Sequence, residues 1–450
     1  ENATLNDLGF PALKGDLVWT RDRFEVFETR SGFYGGTLDI DYSMKPLGTN
    51  LPGWATLDTR YHEVDVSTLL DVFEIGGVRP EGQAGGRNLL RWPLGSFSDL
   101  TGEGELVVAP DLDVRLMTRT ALNKGPARPG SYGSVPFAVD AGPWHFPVGG
   151  RVSYELDSKW IEIGLSRIAT PYTEIEFHGR TAYGNESNIP FRVTSADWQE
   201  SDRLMASFLA AVDAPIREIA IGGRGQLDGV MLGTFRSPRI EATFTGEDIR
   251  AWNVGWGVGR GGITVENGYL DVSAGYFEQE RAELEVNGRF ALGARNDGGD
   301  EIDANFSLAS FPASRVREAF ALEGYNIDGP LTGSVRLFGD YGSPFGVGSL
   351  TLANPVAYGE PFESATAGLR FEGSGVRVDG LNVRKGEGVV TGAAFIRWDG
   401  TYSFNADGRD IAINSIRSAR LEEAPLKGLA QFTVEGVGAF DNPRYEVRGS

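Results

Sequence analysis

The sequence predicts an all-β protein: one continuous, twisted, mostly antiparallel sheet of recurrent modules, with a few short helices at the module ends. Three observations predict it. Apolar and polar residues alternate at period two in residues 37–42, 173–178, 282–287, 289–292 and 334–338, the pattern of a sheet with one apolar and one polar face. Hairpin dipeptides fall between such runs at Gly35-Gly36, Asn267-Gly268, Asn287-Gly288, Asp379-Gly380 and Asp399-Gly400, with a longer turn at 296–299; they supply the positive φ that tight turns require. The same phrase also recurs four times, as a glycine, an alternating run, a Gly-rich turn, a second run and a short helical stretch.

The copies open at Gly15, Gly150, Gly262 and Gly368, a spacing too loose for a short-coil solenoid. Helical segments close them at 64–74, 197–212, 310–322 and 411–420, and Asp197 with Glu200 has the spacing of a capping box. The modules read as 1–75, 76–145, 146–212, 213–322 and 323–450. The second fits the pattern poorly and reads as an irregular or inserted module, with loop-rich stretches at 76–95 and 123–133.

Glycine is the largest compositional deviation, 62 of 450 residues, about twice the usual share. Without a Gly-X-Y period and with 41% hydrophobic residues, the excess reads as many turns. Acidic residues number 62 against 42 Lys and Arg, so the net charge is −20; such a field repels a phosphate backbone and excludes nucleic acid as an expected partner. There is no cysteine, hence neither disulfide nor thiolate metal site; this suits a bacterial periplasm and is compatible with a cytoplasm. The apolar stretch 204–212 has about half the length of a membrane span. The chain starts Glu1-Asn2 and stops at Gly449-Ser450 in mid-pattern, and is expected to be a piece of a longer protein whose membrane tether lies outside it.

A second phrase is Leu-x-Gly, at Leu100-Thr-Gly102, Leu227-Asp-Gly229, Leu331-Thr-Gly333 and Leu426-Lys-Gly428. In the last three a Gly-x-x-x-x-Pro turn follows, Gly233 to Pro238, Gly339 to Pro344 and Gly438 to Pro443. Together with residues 386–395 and 400–413, these phrases resemble the AsmA-like superfamily of bacterial envelope proteins, of the translocation and assembly module type. The resemblance spans most of 13–450 and is strongest after 225. It implies a long, curved, groove-shaped β-sheet (β-taco-like) in the periplasm of a Gram-negative-type bacterium, anchored to the inner membrane, and akin to the grooves of bridge-like lipid-transfer proteins.

No catalytic motif survives inspection. Gly257-x-Gly259-x-x-Gly262 matches a dinucleotide fingerprint, but strand-like residues follow where a helix is needed. His62, His145 and His178 are too scattered for a metal triad. Glu174 with Glu176, and Glu283 with Glu285, sit at period two on the expected solvent face, not as a facing pair of glycosidase carboxylates. Residues 296–303 offer oxygen ligands for Ca²⁺ but read more simply as a hairpin turn flanked by acids. The sequence therefore predicts no enzyme, cofactor or metal.

Aromatic residues share the apolar positions with aliphatic ones. The candidate lining comprises Leu17, Trp19, Val152, Tyr154, Ile175, Phe177, Leu284, Val286, Phe290, Leu292, Val335, Leu337, Leu350, Leu352, Leu369, Phe371, Val376 and Val378. One home for this face is the core of a closed sandwich. A sheet this long with few helices to cover it predicts instead an apolar groove, which acyl chains would fill. The expected function is phospholipid transport between inner and outer membranes. The alternatives are a scaffold that assembles outer-membrane barrel proteins by offering a sheet edge, and a carbohydrate-binding or adhesive β-solenoid.

Overall fold

The computed structural model describes residues 2–5, 8–72, 78–110, 112, 144–211, 221–251, 254–292, 299–319, 326–417, 427–439 and 442–449. Twenty-four strands form one antiparallel sheet that is not closed into a barrel. The first strand, Lys14–Trp19, pairs only with Phe24–Phe33, and the last, Tyr445–Gly449, only with Leu429–Ala439, among the described residues. The all-β expectation is thus met, as is the scarcity of helix: Val66–Val72, Trp198–Ala211 and Ala313–Ala319 are the described α-helices.

Contacts divide the chain into two compact units. In the first, β1 (Lys14–Trp19), β2 (Phe24–Phe33), β3 (Gly36–Lys45), β4 (Trp54–Asp65), β5 (Gln83–Pro93), β6 (Thr101–Ala109), β7 (Gly149–Leu156), β8 (Ile161–Ala169), β9 (Thr173–Thr181), β10 (Ser187–Ser195) and β11 (Gly222–Thr234) follow one another in register. Strands β12 (Ser237–Ala251) and β13 (Val254–Glu266) contribute residues to both units. The second unit holds β14 (Tyr269–Gln279), β15 (Ala282–Ala291), β16 (Ile302–Pro312), β17 (Pro330–Asp340), β18 (Ser343–Ala353), β19 (Ser364–Glu372), β20 (Gly375–Lys385), β21 (Gly388–Arg397), β22 (Thr401–Ala412), β23 (Leu429–Ala439) and β24 (Tyr445–Gly449), again in sequence order. Residues 83–93, expected as loop, are strand β5, and residues 113–143 lie outside the described residues.

Two expected turns are not turns. Asn287-Gly288 lies inside β15, where Gly288 faces Ala304 and Val272. Asp379-Gly380 lies inside β20 at a break in register between Val378 and Leu381, with Gly380 at φ +60°. An Asn-Gly or Asp-Gly pair signals positive φ or a missing side chain, and a β-bulge uses both as readily as a hairpin does. Further register breaks interrupt β2 between Val26 and Thr29, β8 between Ile163 and Ser166, and β16 between Leu308 and Phe311. Each inserts a residue, so the next side chain on the same face follows after three positions rather than two, Thr29, Ser166 and Phe311 respectively.

Three of the four expected helices are present within their expected segments; of the fourth, 411–420, residues 411–412 end strand β22, Ile413–Ser415 form a single 3-10 turn and 418–420 lie outside the described residues. The cap of Trp198–Ala211 differs from the expected one. The Asp197 carboxylate accepts from the Gln199 backbone N–H at 3.0 Å. Glu200 does not reach back to Asp197; its carboxylate accepts from the Thr170 hydroxyl and from the Tyr172 backbone N–H at 3.0 Å. The capping box is replaced by a tether to the β8–β9 turn, since a buried carboxylate is costly without partners. Among the described residues one densely packed patch joins Val254, Ala282 and Phe311 with Trp256, Leu308 and Val316, where the helix Ala313–Ala319 closes a strand end.

Candidate functional site

Residues paired across an antiparallel ladder point to the same face, so the registers trace each face residue by residue. In the second unit one row crosses all eleven strands β14–β24: Gly275, Val286, Phe306, Val335, Gly348, Leu369, Val378, Ala394, Phe404, Gly436 and Tyr445. No side chain in it is polar apart from the terminal tyrosine. At about 4.8 Å per strand step the row runs roughly 48 Å, more than the ~30 Å hydrocarbon core of a bilayer. The neighbouring rows carry Leu284, Phe290, Ile302, Leu337, Leu350, Leu352, Phe371, Val376 and Ile396 on the same face. In the first unit Leu17, Trp19, Val152, Tyr154, Ile175 and Phe177 likewise share a face with Leu57, Leu90 and Leu106. Leu292 is buried just beyond the end of β15.

Burial is graded along this surface. Leu284 and Val286 are 6% and 8% exposed, closed over by their neighbours. Val335, Leu337, Leu350, Leu352, Leu369, Phe371, Val376 and Val378 are all only half-buried. Inner-face residues of a packed sandwich would be almost fully removed from water. Half-burial fits apolar side chains that touch neighbours on their own face and are left partly open to water by the described residues. Leu17 and Trp19, on the first strand, are 58% and 76% exposed.

Glycines also shape this face, a role beyond the turns at Gly35, Gly268, Gly386 and Gly400 that composition predicts. In each of two Leu-x-Gly phrases, Leu227 with Gly229 and Leu331 with Gly333, both residues face the apolar side. Gly229 lies under Phe191: a Cβ there would come within 2.8 Å of the ring. Gly436 faces Phe404 and Gly408 faces Phe432 across β22 and β23, and in both cases an added Cβ would overlap the ring. Large rings therefore lie down on the sheet where their cross-strand partner has no side chain.

The opposite face is charged. Arg289 pairs with Asp271 at 2.8 Å, Arg336 with Asp303 at 3.4 Å and Arg370 with Asp379 at 2.9 Å; Glu283 and Glu285 are exposed there. Glu174 departs from that pattern, being buried against Arg167 at 2.6 Å. Asp58 accepts from Arg87 at 2.7 Å and Arg60 at 2.8 Å, and the hydrogen bond from Arg87 holds its carboxyl below the usual range. A depressed carboxyl contributes stability above its unfolded pKa of about 3.9 and loses it as pH falls through the folded value. Asp58→Asn is thus expected to cost up to about 1 kcal/mol at neutral pH, with the cost shrinking as pH falls below the unfolded value and towards the folded one, read as melting temperatures of the two proteins across an acid titration.

The remaining candidates are separated. Gly257, Gly259 and Gly262 lie within strand β13, with no helix after them. His145 contacts Glu81 at 3.0 Å and His62 lies 3.8 Å from Asp39, far apart in the pairing order. Of the calcium candidate, residues 296–298 lie outside the described residues; among the described residues no cluster of three or more His, Asp or Glu could hold a metal. No described helix is long and apolar enough to cross a membrane. Comparison with known proteins returned no match, neither a family model nor a curated protein nor a solved structure.

Proposed function

We propose that the apolar face carries phospholipid acyl chains, and that the protein moves or holds lipid between the inner and outer membranes in the periplasm of a Gram-negative-type bacterium. The observation that carries this reading is the eleven-strand row without an interior polar side chain, flanked by apolar residues left half-buried. Apolar surface exposed to water at this scale is unfavourable by about 25 cal/mol per Å², and a monomer leaves such a patch open only when something binds it. An acyl chain fits because it asks for no hydrogen bond. Tails would lie on this face while headgroups stay in water, with no bond made or broken. The resemblance to the AsmA-like superfamily points the same way, and supplies the envelope location and an inner-membrane tether outside this chain.

Native mass spectrometry of gently prepared protein tests it: phospholipid masses should accompany the chain and disappear after delipidation. Protein that is lipid-free from a membrane-containing lysate, and that takes up none from vesicles, would sink the reading. The scaffold reading has one observation of its own: among the described residues β1 pairs with β2 alone, beside exposed Leu17 and Trp19.

A further inference from the structure

The apolar face of the first unit is interrupted by a polar row that has no counterpart among the described residues of the second unit's row from Gly275 to Tyr445. Thr29, Ile40, Thr59, Asn88, Gly104, Tyr154 and Ile163 are in direct register across β2 to β8. The row on one side reads Val26, Tyr42, Leu57, Leu90, Gly102 and Leu156, almost wholly apolar. On the other side Tyr61 stands beside Gly86, with Leu106 and Val152 beyond. The Tyr154 hydroxyl donates to Asn88 Oδ1 at 2.5 Å, and Asn88 Nδ2 reaches Thr59 Oγ1 at 3.5 Å. The Tyr61 hydroxyl donates to the Glu105 carbonyl at 3.2 Å. Gly86 and Gly104 leave room for the two rings, since a Cβ at either would overlap them.

These bonds leave capacity unspent. Asn88 keeps a second N–H, Thr59 keeps its O–H, and both tyrosine oxygens keep lone pairs. Thr59, Asn88 and Tyr154 of the row and Tyr61 beside it are all half-buried, so the group faces whatever occupies the surface. Burial pushes the Tyr61 hydroxyl up to about 12 and keeps it neutral. A plain acyl chain gains nothing from such a row, and covering it would strand polar groups without partners. A hydroxyl both accepts and donates, matching the N–H and O–H donors and the phenolic lone pairs together.

Resting on the acyl-chain reading above, we propose that Thr59, Tyr61, Asn88 and Tyr154 form a binding station for a hydroxyl group carried on an aliphatic chain. The probes are stearic acid and a hydroxystearic acid with its hydroxyl in mid-chain, each displacing a fluorescent fatty acid from the full chain. The readout is the ratio of their affinities. On an apolar face a hydroxyl weakens binding; with this station the wild type should favour the hydroxy acid by about fivefold. Asn88→Leu should bring the ratio below one while stearic acid still binds. Tyr154→Phe, which keeps the ring over Gly104, should shrink it and serves if Asn88→Leu fails to fold. A wild-type ratio at or below one with stearic acid bound, or a ratio unchanged in both variants, overturns the station alone. Failure of stearic acid itself to bind overturns the acyl-chain reading along with it.

Discussion

Leu369→Asp should give a folded protein that no longer carries lipid, whereas Val286→Asp should unfold its part of the sheet. Both residues belong to one register row, Val286 on β15 and Leu369 four strands away on β19, and both point to the apolar face. They differ in cover. Val286 is 8% exposed, and a carboxylate there has neither water nor a cationic partner, a change that costs about 3–5 kcal/mol out of the roughly 5–15 that a domain possesses. Leu369 is half-buried, so an aspartate in its place keeps access to water and costs on the order of 1 kcal/mol. To an acyl chain on that surface, however, the charge is as unfavourable as it would be in oil. Thermal unfolding and lipid content by mass spectrometry separate the two outcomes. A Leu369→Asp protein with the wild-type lipid load would remove this part of the row from the binding surface. One that failed to fold would mean the face is a closed core.

The sheet was legible in the sequence because its apolar face is written at period two, and every candidate from Leu17 to Val378 within a strand falls on that face of its unit. The signal fades at bulges. Ile163 and Ser166 share a face three residues apart, which period-two counting assigns to opposite sides. Asn287-Gly288 looked like a hairpin because the dipeptide records only that a side chain is absent or φ is positive, and here it records a glycine facing Ala304. The polar row was hidden more thoroughly. Thr59, Asn88 and Tyr154 come from strands far apart in sequence, and Asn88 lies in a Gly-rich stretch that reads as loop. Only the pairing places them in line, because register is a property of the assembled sheet. Nothing local in the sequence encodes which of the apolar residues would be covered, and Val286 and Leu369 carry the same kind of alternation around them.

Glycine content carries the same lesson to a second large effect. Gly436→Val should lower both stability and lipid load, and removing the ring opposite should recover much of the loss. Gly436 faces Phe404 across β22 and β23, and any Cβ there meets that ring. The added side chain must lift the ring off the sheet or push the strands apart, an overpacking that typically costs about 1–3 kcal/mol. A lifted ring occupies space on the apolar face that an acyl chain would otherwise use. In the double variant Gly436→Val with Phe404→Ala the valine fills the place the ring left. Its loss of stability should therefore fall short of the sum of the single losses, with a coupling of about 0.5–3 kcal/mol. Gly342→Ala is the control: no atom lies within 4 Å of a Cβ at that turn, and its effect should stay within about 0.5 kcal/mol. Melting temperatures and lipid masses of the four variants test this together. If Gly436→Val matched the wild type in both, the glycine would be incidental, and the rings would be free to stand or lie without consequence for what the face can hold.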